Sequence, residues 1–315
     1  MKLRLDPWPA DYDAPVQMEE IPADGEARLR VDAGAETADW AAIPPGGGDV
    51  RPCDFVDGVR RVEARVLGEV DGALLHGLFG AVATGHVRTA SSQAHFGDMR
   101  VERFLILGKG QTESFDLQVG GLDVRFPGHA CARNTPDAVL GELQSLMRAA
   151  EARLAESLAT DDGCVFVDGL SYRATGRFPV IGVIKRIFDP YVNRSQFTLV
   201  EQLRAGERTP LFAILDGTYD RYSCFLRLAE PRPVDHPLAG IVRLEIGAAV
   251  GIDLARQLAS HAAAMLPQFA STPARDPRAP QNLLPVGALE QELRRRMGDP
   301  LTMRRAIEKA LHQRL

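Results

Sequence analysis

One four-residue string occurs twice in the chain, as Phe55-Val56-Asp57-Gly58 and as Phe166-Val167-Asp168-Gly169. Each time an apolar, strand-like run empties into an aspartate and then a glycine. A carboxylate at the end of a buried strand is held by a rigid element yet can face a cleft, and the glycine lets the backbone turn and leaves room for a ligand. Two such carboxylates on adjacent strands would make a strongly negative pocket. Like charges that close raise each other's pKa unless a cation neutralises them, and hard oxygen ligands suit Mg²⁺ or Mn²⁺. The competing reading is a hairpin turn, which Asp-Gly favours. Leu215-Asp216-Gly217-Thr218, between two strand-like runs, is read as such a turn. For Asp57 and Asp168 the residues alone leave turn and metal ligand both open.

Around these strings the pattern predicts a hairpin or bent strand over 50–67, strands over 73–89 and 101–107, and a hairpin over 114–126. A helix is predicted from Asn134-Thr135-Pro136-Asp137, where a capping side chain precedes proline in the first turn. Leu140, Leu143, Met147, Ala150, Leu154 and Leu158 continue it at helical spacing. Short apolar strands follow at 164–167 and 178–187, then a helix at 194–204, strands at 211–215, 222–228 and 241–246, a helix at 253–266, a loop at 271–280 and two basic amphipathic helices. This order lacks the regular strand–helix alternation of a doubly wound fold, so a mixed α/β sheet with flanking helices is expected. Residues 1–48, acidic and rich in Pro, Gly and Ala, read as an extended N-terminal arm, and 49–315 as the folded domain.

Several function classes drop out. A net charge of −5 argues against non-specific coating of nucleic acid. No run approaches the roughly 18 apolar residues of a membrane span, and the first residues lack the apolar core of a secretion signal. Cys53, Cys131, Cys164 and Cys224 form no Cys-x-x-Cys pair, so neither a zinc site nor a disulfide framework is indicated, and a reduced, cytoplasmic protein is expected. Gly108-Lys109-Gly110 lacks the Ser/Thr of a phosphate loop.

Taken in order, Phe55-Val56-Asp57-Gly58-Val59-Arg60-Arg61, Val165-Phe166-Val167-Asp168-Gly169-Leu170 and Val180-Ile181-Gly182-Val183-Ile184-Lys185 resemble the NurA nuclease family over roughly 50–310. The resemblance implies a ribonuclease-H-like fold, DNA cleavage with Mn²⁺ (or Mg²⁺), and a homodimer that caps HerA, a hexameric ATP-driven translocase. It also implies a role in DNA end processing or phage defence. Asp57 and Asp168 take the two aspartate positions of the motif. The third carboxylate implied is a glutamate on the preceding helix. Of Glu142, Glu151 and Glu156, Glu151 lies at the separation from Asp168 that the motif has. Lys185 matches the lysine of the Gly-Val-x-Lys strand and would hold the scissile phosphate or the leaving oxygen. Arg60, Arg61, Arg173 and Arg177, adjacent to the aspartates in sequence, would meet DNA phosphates.

The match departs from the family near the C-terminus. Gln281 falls near the position of a tyrosine and Leu289 near that of a histidine or aspartate. Either Glu290 or Gln281 supplies a replacement, or the fourth position is missing. A catalytically weak capping or DNA-binding subunit is therefore one rival reading, and a metal-dependent phosphatase using the same carboxylates is another.

Overall fold

A computed structural model describes residues 29–46, 52–90, 93–160, 163–169, 177–187 and 189–313. Its centre is a ten-stranded mixed sheet. In chain order the strands are β1 (Arg30–Asp32), β2 (Cys53–Val70), β3 (Ala73–Ala90), β4 (Gln93–Leu107), β7 (Gly128–Ala130), β8 (Cys164–Asp168), β9 (Val180–Ile184), β10 (Phe212–Leu215), β11 (Arg221–Arg227) and β12 (Ile241–Gly247), while β5 (Phe115–Val119) and β6 (Leu122–Phe126) form a separate hairpin. Across the sheet they run β1-β10-β11-β12-β9-β8-β2-β3-β4-β7. The three central strands β2, β8 and β9 are parallel neighbours, and the flanking pairs are antiparallel. The mixed α/β sheet expected from the element order is what the chain builds.

Helices cover both faces. On one lies α1 (Pro136–Leu158), started by Thr135, whose hydroxyl accepts from the Ala138 N–H. Its apolar stripe packs Val139, Leu143 and Met147 on Leu78 and Val82. The same face carries α2 (Arg194–Gln202), which packs Val200 against Phe225 and Ile241. On the other face, α3 (Ile252–Met265) lies over Phe55, Phe166 and Leu244, and α4 (Leu284–Arg296) seats Leu289 and Leu293 on Ala81 and Ala83. A last helix, α5 (Pro300–His312), closes over the β5–β6 hairpin through Met303 and Ile307. Because both faces of β3 are covered, it reads as a continuous run of small and apolar residues instead of alternating.

Two expectations change. The run predicted as a hairpin or bent strand over 50–67 is one strand, β2, that continues to Val70 with a bulge between Val62 and Ala64. Asp57-Gly58 therefore lies inside a strand, and only Asp168-Gly169 ends one. Asp216-Gly217 is the turn expected: Asp216 accepts from the Thr218 and Tyr219 N–H groups.

Of the segment read as an arm, 29–46 is described and is extended along the far edge of the sheet. There β1 pairs with β10, and the Trp40 indole donates to the Gln196 carbonyl. Glu36 receives both terminal nitrogens of the buried Arg208 at 2.8 Å. Removing one partner of a buried ion pair strands the other. Glu36→Ala should lower stability by about 3 kcal/mol, read by chemical denaturation; a loss below about 0.5 kcal/mol would show that this segment adds nothing to the fold.

Candidate metal and active site

Parallel pairing of β2 with β8 sets Phe55 against Phe166 and Val56 against Val167. The next position on each strand is an aspartate, so Asp57 and Asp168 stand side by side on the face covered by α3 and α4. Stacked rings of Phe55 and Phe166, with centroids 5.2 Å apart, lie beneath them. A third carboxylate arrives from α4. Oxygens of Asp57, Asp168 and Glu290 all lie within 4.8 Å of one another. The helix explains why: Leu289 is fully buried between α4 and the sheet, and the next residue is rotated by 100° into the cleft. Of the possibilities left open at the C-terminus, it is Glu290 that reaches the aspartates. Gln281 is also buried, and its Oε1 has no hydrogen-bond partner among the described residues.

Glu151 comes from the opposite face. Paired residues of β2 and β8 stop at Val56 and Val167, which releases the Gly58 N–H from the ladder, and the Glu151 carboxylate accepts it. Gly58 is needed for space, not for a turn: a Cβ there would lie 2.6 Å from Glu151 Oε1 and 3.0 Å from Met147 Cγ. Gly169, by contrast, has φ +94° and open space around it, so its backbone shape is what demands glycine. The two glycines of the repeated string thus serve different ends. Gly58→Ala should push Glu151 away from Asp168 and lower stability by about 1 kcal/mol, the low end for overpacking, since a carboxylate tip can swing aside. Metal affinity should fall with it; unchanged metal binding would show that Glu151 does not depend on this gap.

Electrostatics follow from burial. Asp57 is pushed well above the usual carboxylate range, first by desolvation and then by Asp168, Glu290 and Glu151. Glu151 is pushed up to about 8 by burial and by Asp168. Raised folded-state values mean that the protonated forms suit the metal-free fold. This stabilising contribution is complete below the ordinary value near 4.5 and disappears as pH rises through about 8. The melting temperature of chelator-treated protein should fall between about pH 5 and about pH 8, and Glu151→Gln should flatten that slope. A wild-type melting temperature that rises over the interval would contradict the assignment.

Two cations temper the cluster. Lys185 Nζ donates to Asp168 Oδ2 at 2.5 Å and to Asn282 Oδ1 at 2.6 Å. Asn282 in turn donates to Asp276 at 2.6 Å, and Arg278 joins Asp276 to Glu290, reaching the two Glu290 oxygens at 2.8 and 2.9 Å. The segment expected only as a loop over 271–280 therefore fixes both Lys185 and Glu290. A cation at the acid cluster fits what is present. Every donor is a hard carboxylate oxygen, and Asp57 Oδ2 is buried with no hydrogen-bond partner among the described residues. Hard divalent cations, Mg²⁺, Mn²⁺ and Ca²⁺ among them, suit such a donor set.

The remaining candidates divide. Glu142 turns away and meets His129 at 2.8 Å, and Glu156 is partly exposed farther along α1. The role given to Arg61 is corrected: its guanidinium is bound to Glu63 at 2.7 Å and caps the C-terminal carbonyls of α4 at Met297 and Gly298. It ties α4 to β2 and is not a free phosphate contact. Arg60 reaches Gln144 on α1. Arg177 is exposed, and Arg173 lies outside the described residues.

No protein-family model matches the chain, and no curated protein matches it by sequence. Among solved structures the chain is similar to the NurA nuclease from Sulfolobus solfataricus, with a TM-score of 0.52 and 11% identity over 88% of each chain. It is also similar to endonuclease V from Bacillus subtilis, with a TM-score of 0.34 and 14% identity over 78% of this chain and 80% of that one. The first likeness is one of fold. The mixed sheet with flanking helices is of the ribonuclease-H-like type expected from the sequence.

Proposed function

We propose that this chain is a divalent-metal-dependent deoxyribonuclease of the NurA type, hydrolysing phosphodiester bonds with Mn²⁺ or Mg²⁺ held by Asp57, Glu151, Asp168 and Glu290. One observation carries the reading: carboxylates of Asp57, Asp168 and Glu290 from β2, β8 and α4 lie within 4.8 Å of one another in one cleft, and Asp57 Oδ2 there has no hydrogen-bond partner among the described residues. When bound, the ion would activate water and offset charge on the phosphate. The chain's own part is positional. Asp57 and Asp168 sit on rigid strands, Gly58 holds Glu151 through its N–H, and Arg278 grips Glu290 through both oxygens. Lys185, aimed by Asn282, is the nearest cation for the charge that builds on a scissile phosphate. The place of Glu290 beside the aspartates favours catalysis over a purely capping role. DNA would be met through its backbone, with Arg173 and Arg177 as contacts, so sequence preference should be low.

The chain has no nucleotide motif, which fits a cytoplasmic homodimer fed by a HerA-like hexameric translocase in DNA end processing or phage defence. In this reading 1–48 is an arm on a nuclease domain of 49–315. Among the described residues no helix is long and apolar enough to cross a membrane. The test compares linear DNA with a simple phosphate diester under Mn²⁺, with and without the cognate translocase, which is also probed by co-purification. Cleavage of DNA is expected. Hydrolysis of the simple diester alone would favour the phosphatase, and binding to the translocase without any cleavage would favour the capping subunit.

A further inference from the structure

The repeated string extends upstream by a residue that the metal site does not use. Written from the first strand residue, the copies are Cys53-Asp54-Phe55-Val56-Asp57-Gly58 and Cys164-Val165-Phe166-Val167-Asp168-Gly169. Cys53 and Cys164 are direct partners in the β2–β8 register, and their thiols are hydrogen-bonded to each other. His261 on α3 brings Nε2 to 3.9 Å from Cys53 Sγ and is itself only partly buried. Two thiols and an imidazole thus meet in a cluster whose other members are apolar side chains and Cys224.

We propose that Cys53 and Cys164 form a reversible disulfide when the protein meets a peroxide, cross-linking β2 to β8 four residues upstream of the two aspartates. Neighbouring strands lie about 4.8 Å apart, inside the Cα range a disulfide spans, while its Cβ atoms sit at about 3.8 Å. The strands must draw together slightly, so the bond forms under strain, and a strained disulfide is readily reduced. The pair stands apart from the other two thiols. Hydrogen bonds from Cys164 and His261 hold the Cys53 thiol down to about 6, whereas burial pushes Cys224 up to about 12 and raises Cys131. The acidic trio is the one group of three or more potential ligands close enough to share an ion among the described residues, so sulfur–sulfur chemistry suits the thiols better than a bound metal.

The atoms balance. The Cys53 thiolate attacks one oxygen of hydrogen peroxide; an S–O bond forms, the O–O bond breaks, and hydroxide takes up a proton to leave as water. The Cys164 sulfur then attacks the sulfenic sulfur; the S–S bond forms, the S–O bond breaks, and the thiol proton leaves with that oxygen as a second water. Two electrons pass from the thiols to the peroxide.

The effect on cleavage rests on the proposed nuclease reading; the bond itself does not. Catalytic groups tolerate displacements of well under 1 Å, so a cross-link that draws the two strands together should slow cleavage by about tenfold or more. The full chain is treated with hydrogen peroxide, alkylated, digested without reductant and mapped by mass spectrometry. All four cysteines are free beforehand. The expected result is a linked Cys53–Cys164 peptide with Cys131 and Cys224 still alkylated, and full return of the thiols and of Mn²⁺-dependent cleavage with dithiothreitol. In Cys164→Ser, Cys53 should be trapped as a sulfenic acid by dimedone. Four thiols surviving the treatment, or Cys53 and Cys164 modified without being linked, would overturn the proposal. A linked pair in a protein that cleaves DNA neither oxidised nor reduced supports the thiol proposal and rejects the nuclease.

Discussion

Asp57→Asn and Asp168→Asn are each expected to abolish Mn²⁺-dependent DNA cleavage, and Asp57→Asn should leave the metal-free protein at least as stable as the wild type. Metal-assisted charge stabilisation supplies several kcal/mol in such reactions, and about 1.4 kcal/mol is tenfold in rate; the loss should be about a thousandfold or more. The stability half of the expectation comes from the same cleft. Asp57 is buried, has an oxygen with no hydrogen-bond partner among the described residues, and is pushed upward by desolvation and three neighbouring carboxylates. An amide removes the ionisation that burial opposes. Single-turnover cleavage and thermal melting, measured on the same preparations, check both halves. A variant that melts far below the wild type would recast Asp57 as a structural residue, and one that cuts at the wild-type rate would remove it from the site.

Glu290→Gln should reduce cleavage by about a hundredfold, the scale of losing one charge-stabilising group. Glu290 shares the 4.8 Å cluster with both aspartates and is held through both oxygens by Arg278. Glutamine keeps one acceptor for Arg278 but gives up the negative charge. Glu142→Gln is the matched control, because its carboxylate faces His129 instead of the cleft, and it should cut within about twofold of the wild type. Equal activity in the two variants would mean that the fourth position is unfilled and that Glu290 only anchors Arg278.

The parts of this site legible in the sequence are those carried by local pattern. The repeated Phe-Val-Asp-Gly strings point to both aspartates, and the separation from Asp168 that the family resemblance implies points to Glu151 over Glu142. What the strings conceal is context. Asp-Gly reads as a strand end, yet at 57–58 the strand runs on to Val70, because the glycine answers to Glu151 reaching across from α1. The choice of Glu290 turns on Leu289 packing against Ala81 and Ala83, a tertiary contact with no local signature. Asp276, Arg278 and Asn282 sit in a stretch rich in Pro, Ala and Arg that carries only loop signals, and their hydrogen bonds to Lys185 and Glu290 exist only once α4 is docked. Arg61 erred in the other direction. Proximity in sequence to Asp57 made it a phosphate contact, whereas Arg61 shares the face of Asp57 but lies about 13 Å farther along the strand, where it closes the end of α4 instead.

Calorimetric titration of Mn²⁺ into the chelator-treated chain, in two buffers of different ionisation enthalpy, tests the carboxylate cleft most directly. It needs neither DNA nor a partner. Saturable binding is expected, with a buffer-dependent heat that reports proton release, because Glu151, pushed up to about 8, is largely protonated near neutral pH until a cation arrives, and Asp57 is pushed in the same direction. Asp57→Asn should abolish the binding. No saturable heat from the wild type, or binding that Asp57→Asn leaves intact, would contradict a metal centre at these residues.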